Sequence, residues 1–434
     1  MEAVKTGERP LVLSEMRRLL FTEERFSTDP DDAEPYLAGG ADAGAILAVV
    51  KPRTLEEIKG LIVMANASCI ALYTPMPFGL EPKRPGVIVD PGRMNRIFSL
   101  DSKKLTAVIE PGVTWEQMLP EVEALGLRMA VPAAARQGYV LGAYQERDIV
   151  LSASRYTNKQ VSNLHLVLAD GREYRSGSHA LPMAEPHGIN WREDGGPNLS
   201  RLMLGSRNMF GLAHKGYVYL YPHFEKRQVT VLGFNRIGAA LKAAQFIANR
   251  EMAVECVTLN RAKAEAITGK EIPAPWLTVA AIEGSADLVK YYRKRLSKEF
   301  KDLDELKKLA PAFEGAFRSP WEAPDTTVGF YTFFSRVPEF DKLIKKPDVP
   351  RMVVPVKRGA SVYNHYELPE RPDMKVYEKL LDAGAFFSSP TGSLAHALFA
   401  RTGDYEKYVR IIKRRIDPGG IMNPDQMIEE GGDV

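Results

Sequence analysis

The sequence predicts an α+β protein of two domains, and three observations carry that prediction. Residues 45–73 alternate strand, helix and strand patterns, the opening of an α/β unit. Two short β-branched runs, Val87-Ile88-Val89 and the stretch 106–109, stop at Asp90-Pro91-Gly92 and at Pro111-Gly112, so both read as buried strands ending in turns. Beyond residue 226, strand-like runs alternate with helical patterns and no glycine-rich phosphate loop appears. That alternation fits an antiparallel sheet covered on one side by helices.

Size and composition bound the function. At 434 residues the chain is too long for one hydrophobic core. Hydrophobic residues at 45% and charged residues at 26% are ordinary for a soluble enzyme, and a net charge of +3 points to no polyanionic partner, so no nucleic acid is expected. The cysteines, Cys69 and Cys256, are too few for an iron–sulfur cluster, a four-thiolate zinc site or a disulfide framework. Electrons in any redox reaction must leave by another route. The N-terminus has no apolar signal region and no run of eighteen apolar residues occurs, so no membrane span and a cytoplasmic location are expected.

The elements follow in order. Helical spacing over 11–21 precedes a strand at 45–50 that ends at Lys51-Pro52. Thr54 with Glu57 reads as a capping box opening a helix through residue 67, and a strand at 70–73 follows. The next loop, Tyr73-Thr74-Pro75-Met76-Pro77-Phe78-Gly79, contains two prolines that remove two N–H donors and a single glycine able to take positive φ. Residues 93–104 fit a turn and hairpin, and Thr114 with Gln117 opens a helix. Residues 138–143 read as a small-residue turn, 158–168 as a strand, 194–197 as a loop and 216–221 as a strand stopped by Pro222. Further strands are expected at 229–234, 253–259, 277–282, 327–334 and 352–357, with helices at 237–249 and 286–300.

A resemblance sharpens this outline. V-I-V-D-x-x-R-M-N-R-I at 87–97, followed by A-V-I-E-P-G-V-T-W at 107–115, resembles the flavin-binding domain of the FAD-linked oxidases related to vanillyl-alcohol oxidase and p-cresol methylhydroxylase. Val167-Leu168-Ala169-Asp170-Gly171 and Asp417-Pro418-Gly419-Gly420-Ile421-Met422-Asn423-Pro424 resemble two further blocks of that family. Gly205, Ser206 and Gly211 match another, with Asn208 in place of a glycine, a tolerable swap because Asn also visits the left-handed region. The middle of the chain matches no motif. The resemblance implies a two-subdomain FAD-binding domain of the p-cresol methylhydroxylase type over 1–225, a cap domain over 226–385 and a C-terminal segment, 386–434, returning to the first domain.

The cofactor implied is FAD. Its pyrophosphate would lie against the loop after the strand ending at Tyr73, with the Thr74 hydroxyl and the N–H groups of Met76, Phe78 and Gly79 as donors. Pro111, Gly112 and Val113 would lie nearby, Gly142 under the flavin, the Val167 main chain facing it, and Asn423 in the terminal motif. The reaction implied is hydride transfer from a small-molecule substrate to flavin N5, with electrons passed on to a partner redox subunit or within a homo-oligomer. The proline-containing loop keeps a second class open: a non-catalytic or electron-relay subunit with a degenerate flavin site.

The densest polar and aromatic cluster is Arg358-Gly359-Ala360-Ser361-Val362-Tyr363-Asn364-His365-Tyr366-Glu367. As a strand, it places Tyr363, His365 and Glu367 on one face and Asn364 and Tyr366 on the other, and either face could meet the flavin. A His beside a Glu suits general-base work, because the carboxylate stabilises the imidazolium formed when a substrate proton is taken. Tyr363 or Tyr366 would orient the substrate; a sheet face with satisfied polar groups also accounts for these residues. Relatives that oxidise 2-hydroxy acids carry a metal at a Glu-His-Gly stretch, whereas residues 386–392 here hold neither His nor carboxylate, so no metal is expected and an aromatic or otherwise activated alcohol is favoured. His165, His187 and His214 lie in the first domain with no role singled out.

Overall fold

The computed structural model describes residues 9–76, 79–135, 138–153, 155–156, 160–180, 199–300, 306–346, 348–356, 360–387 and 390–429. Phe78, the 194–197 loop, His187 and the Arg358-Gly359 start of the polar cluster lie outside them. The first sheet holds β1 (Phe26–Ser27), β2 (Ile46–Val50), β3 (Ala71–Tyr73) and β4 (Gly86–Val89) in the order β1-β2-β4-β3, with β2 and β3 both parallel to β4. Parallel pairing needs a crossover, and the helix Leu55–Ala67 supplies it between β2 and β3. Thr54 caps that helix by accepting from the Glu57 N–H at 3.2 Å. The reciprocal half of the expected capping box does not form, because the Glu57 carboxylate accepts instead from the Arg53 N–H at 2.6 Å and pairs with the buried Arg25 at 2.8 Å. A buried guanidinium left without its carboxylate would cost more than a cap contributes.

The second sheet begins with β5 (Ile97–Asp101) and β6 (Thr106–Ile109), the expected hairpin. The helix Trp115–Ala124 follows with the Thr114–Gln117 capping box complete in both directions, and leads to the short β7 (Leu127–Arg128). β8 (Val161–Leu168), β9 (Glu173–Arg175) and β10 (Gly211–Tyr219) finish an antiparallel sheet ordered β5-β6-β10-β8-β9, while β11 (Tyr221–Pro222) pairs with β7. The expected turn at 138–143 is instead the helix Val140–Gln145, since only a helical turn buries Val140, Leu141, Ala143 and Tyr144 together. β10 starts five residues earlier than its apolar pattern suggests, because Gly211 passes so close to β8 that a Cβ there would sit 2.5 Å from the Val167 carbonyl oxygen.

The third sheet comprises β12 (Lys226–Phe234), β13 (Glu255–Asn260), β14 (Trp276–Gly284), β15 (Thr327–Phe333), β16 (Arg351–Pro355) and β17 (Ser361–Glu367), all antiparallel, in the order β12-β14-β13-β16-β17-β15. The helices Ile237–Asn249 and Ala286–Glu299 cover one face through Leu241, Ile247, Val289 and Leu296. The other face puts Val257, Leu259, Val354 and Tyr363 into one core with Leu141, Leu151 and Met209 of the first half of the chain. The chain end returns to the first sheet: the Leu72 N–H donates to the Ile421 carbonyl at 2.7 Å, and the Asn423 N–H to that of Leu72 at 2.9 Å. No helix among the described residues is long and apolar enough to cross a membrane.

Candidate functional site

The ends of β3, β4 and β6 converge on a small, mainly apolar cavity of about 60 Å³ whose polar groups come from Thr74, Tyr139, Gln145 and Asn208, with Pro111 and Gly142 also in its wall. Asn423 reaches it from the C-terminal motif. Its side-chain oxygen accepts from the Thr74 N–H at 2.8 Å, and its amide donates to the Thr74 hydroxyl at 2.9 Å and to the Arg207 carbonyl at 2.6 Å. The Asn208 amide also donates to the Thr74 hydroxyl, at 3.1 Å, and Gln145 donates to Asn208. Asn208 has φ +53°, the left-handed conformation expected of a residue standing in for glycine. Asp90 closes one side, accepting from Tyr36 at 2.8 Å, from Tyr139 at 2.9 Å and from the Gly92 N–H at 2.9 Å. Burial, reinforced by that carboxylate, pushes both phenols well above their ordinary range.

Of the residues expected to hold the cofactor, Thr74, Pro111 and Gly142 line this cavity and Asn423 braces it. Tyr73 turns away, donating to the Arg84 carbonyl at 3.0 Å within an apolar cluster that also contains Met76, and burial pushes its phenol up to about 12. Gly79 does take positive φ, +77°, but it backs onto Leu37 and Ala38, and its N–H donates to the Met76 carbonyl at 3.1 Å. Gly112 is required by close packing: a Cβ there would lie 2.1 Å from the Pro91 carbonyl oxygen. Val113 and Val167 are fully buried in the apolar cores flanking the cavity. Tyr36, Tyr139, Gln145 and Asp90 join the site without being among the expected cofactor residues. Asp90 alone had a signal, as the fourth residue of V-I-V-D, and its phenol partners come from remote segments.

The second constellation lies on β17. His365 is fully buried, and its Nε2 meets the Glu367 carboxylate at 3.2 Å, which in turn pairs with Lys263 from the helix Arg261–Thr268. Burial raises the Glu367 carboxyl, but hydrogen bonds from His365 and Lys263, with the Lys263 charge, outweigh it and hold the group below its ordinary range. Tyr363 shares this face and packs edge-on against Tyr331, ring centroids 5.4 Å apart. Tyr366 lies on the opposite face, donating to Asp341 at 2.7 Å and accepting from the Asn364 amide at 3.0 Å, with its ring among Phe330, Phe340 and Leu380. The four β17 residues are thus divided between two layers, and none lines the cavity at Thr74. A larger cavity, about 670 Å³, lies beside Arg128, Arg227, Glu255 and Glu314, and no expected site residue lines it either.

The hydroxyls and amides at the Thr74 cavity are neutral donors and acceptors at strand ends, which suits a ribityl and pyrophosphate stretch. A cofactor-sized site needs roughly 300–1,000 Å³, and here the polar groups satisfy one another. The residue chemistry therefore suits the polar stretch of a dinucleotide, while the cavity of about 60 Å³ is smaller than such a group, and binding would require the bonds that Asn423 and Asn208 make to Thr74 to be exchanged.

Comparison with known proteins agrees with the fold. Residues 46–177 match the model of an FAD binding domain. The chain is 26% identical over 224 residues to the glycolate oxidase subunit GlcD of Bacillus subtilis (strain 168), covering 50% of this chain and 44% of that protein. It is 24% identical over 234 residues to the 4-cresol dehydrogenase [hydroxylating] flavoprotein subunit of Pseudomonas putida, covering 51% and 44%. These matches span less than half the length of the curated relatives. Among solved structures, p-cresol methylhydroxylase with substrate bound superposes with a TM-score of 0.84 at 18% identity over 99% of both chains. The 4-ethylphenol oxidase from Gulosibacter chungangensis superposes with a TM-score of 0.80 at 16% identity over 98% of both.

Proposed function

We propose that this chain, which carries an FAD binding domain at 46–177 on the p-cresol methylhydroxylase fold, is an FAD-dependent oxidoreductase. It acts on an activated alcohol or hydroxy compound, an aromatic one first among them, and passes electrons to a partner redox subunit in the cytoplasm. The division into 1–225, 226–385 and 386–434 belongs to the same reading. One observation carries it: strand ends within 46–177 frame the Thr74 cavity, and the buried His365–Glu367–Lys263 series on the third sheet is the acid–base group assigned to the same reading. FAD bound at that cavity would supply hydride acceptance.

The chain's own residues do the rest. Thr74, Gln145, Asn208 and Gly142 would hold the cofactor's polar stretch. His365 takes the hydroxyl proton, Glu367 stabilises the imidazolium, and Lys263 keeps Glu367 ionised and aimed. Tyr363, on the same face, orients the substrate. The glycolate oxidase and 4-cresol dehydrogenase relatives are each named as a subunit, which supports a partner.

A second reading has its own observation. The Thr74 N–H is already taken by Asn423 and the cavity is about 60 Å³, which favours a non-catalytic or electron-relay subunit with a degenerate flavin site. The visible spectrum of purified protein separates the two. Flavin bands near one per chain, as isolated or after reconstitution with FAD, support the oxidoreductase; protein that stays colourless after reconstitution supports the relay subunit.

A further inference from the structure

Next to the strand segment Leu212-Ala213 that walls the Thr74 cavity, three neighbouring strands of the second sheet bring ligating side chains to one place. His165 lies on β8, Glu173 on β9 and His214 on β10. The β8–β10 register slips between Ala213 and Lys215, leaving His214 as an extra residue opposite His165. A bulge of this kind re-aims a side chain, and it turns His214 toward Glu173. His214 Nε2 is 3.2 Å and His165 Nδ1 4.0 Å from Glu173 Oε1, and the three ligand atoms lie within 4.8 Å of one another. Ligands about 2.1 Å from a common ion stand about 3.0–3.4 Å apart, so one pair is already at that spacing and the third atom closes by a side-chain adjustment.

The surroundings fit the same chemistry. The far nitrogen of His165 meets His179 Nδ1 at 3.1 Å, an outer hydrogen bond that would fix the His165 ring with its Nδ1 toward Glu173. His165 and His214 are buried while Glu173 is partly exposed, which leaves a way in from solvent. Two cations face the spot. Arg175 forks onto Glu173 at 3.1 and 3.4 Å with a side chain 37% exposed, so it can swing outward; Lys215 lies over the Phe98 ring.

We propose that His165, Glu173 and His214 form a binding site for a divalent transition-metal ion. Two imidazoles and one carboxylate suit zinc, iron(II) or cobalt(II), with open positions for water. This site is separate from the flavin reading and stands whether or not FAD binds.

The test uses the full chain stripped with EDTA, with zinc and cobalt(II) alone as probes. One zinc per chain should remain after gel filtration, and cobalt(II) should give the electron paramagnetic resonance signal of a protein-bound ion. His179→Ala should weaken zinc binding by roughly 10–100-fold, and His214→Gln by more. Arg175→Gln, a partly exposed change that leaves the sheet intact, should tighten it by roughly tenfold by removing a competing charge. Zinc retained far below one per chain in the unmodified protein overturns the proposal. So does equal zinc affinity in the unmodified, His214→Gln and Arg175→Gln proteins.

Discussion

Replacing the His365 imidazole should separate chemistry from cofactor binding, because the residue is buried among protein groups on β17 and lines no part of the Thr74 cavity. His365→Ala is expected to lower turnover by roughly 10²–10⁴-fold with the flavin spectrum intact. Stopped-flow flavin reduction with the unmodified protein alongside measures this, and an unaffected variant would put the base elsewhere. Glu367 has a pH signature. Its folded-state value lies below the unfolded one, so the stability it contributes is present above the unfolded carboxylate range and is lost as pH falls through the folded value. The gap in urea midpoint between the unmodified protein and Glu367→Gln should therefore be widest near neutral pH and narrow in acid. A gap that widens in acid would reverse the sign. Gly79→Val would force a β-branched residue to φ +77° and press its Cβ to 2.4 Å from the Ala38 nitrogen. The strain is about 1–3 kcal/mol, and both the denaturation midpoint and the flavin-to-protein absorbance ratio should drop.

Among the elements, the C-terminal motif 417–424 works as a clasp. Lys413, buried at the end of the helix Asp404–Ile416, donates to the carbonyls of Met209 at 2.9 Å and Met422 at 2.7 Å and pairs with Asp417. The Asp417 carboxylate accepts from the Ile421 and Met422 N–H groups at 3.1 and 2.8 Å. Asn423 is thereby delivered to Thr74. Lys413→Met would strand the Asp417 carboxylate in the core, and a loss of roughly 3–5 kcal/mol is expected. Equilibrium denaturation checks the size of that loss, and a change below about 1 kcal/mol, the range of an exposed pair, would mean that the knot is not holding the clasp.

For the whole molecule, the proposed electron route makes assembly the decisive property. The two cysteines, Cys69, half-buried, and Cys256, fully buried, are too few to hold an iron–sulfur cluster. Light scattering on the protein purified from its native source should therefore give a mass above that of a single 48.3 kDa chain. A lone chain that rapidly reduces oxygen would contradict a partner subunit.

Local pattern was enough for the elements whose signals are local. The Thr114–Gln117 box, the crossover helix Leu55–Ala67 and the alternation of faces along β17 all follow from side-chain chemistry within a few residues. The family motifs likewise marked the strand ends at Asp90 and Pro111 that frame the cavity. Contacts between distant segments were decided only by the tertiary structure. Periodicity could not tell which face of β17 meets the first domain, since that depends on which sheet packs against it, and packing put Tyr363 and His365 inward and Tyr366 beneath the other layer. Nor could it show that Asn423 would take the Thr74 N–H, or that a one-residue slip on β10 would turn His214 toward Glu173. Hydrophobic pattern sets which residues are buried; register, bulges and chain return set which buried polar groups meet.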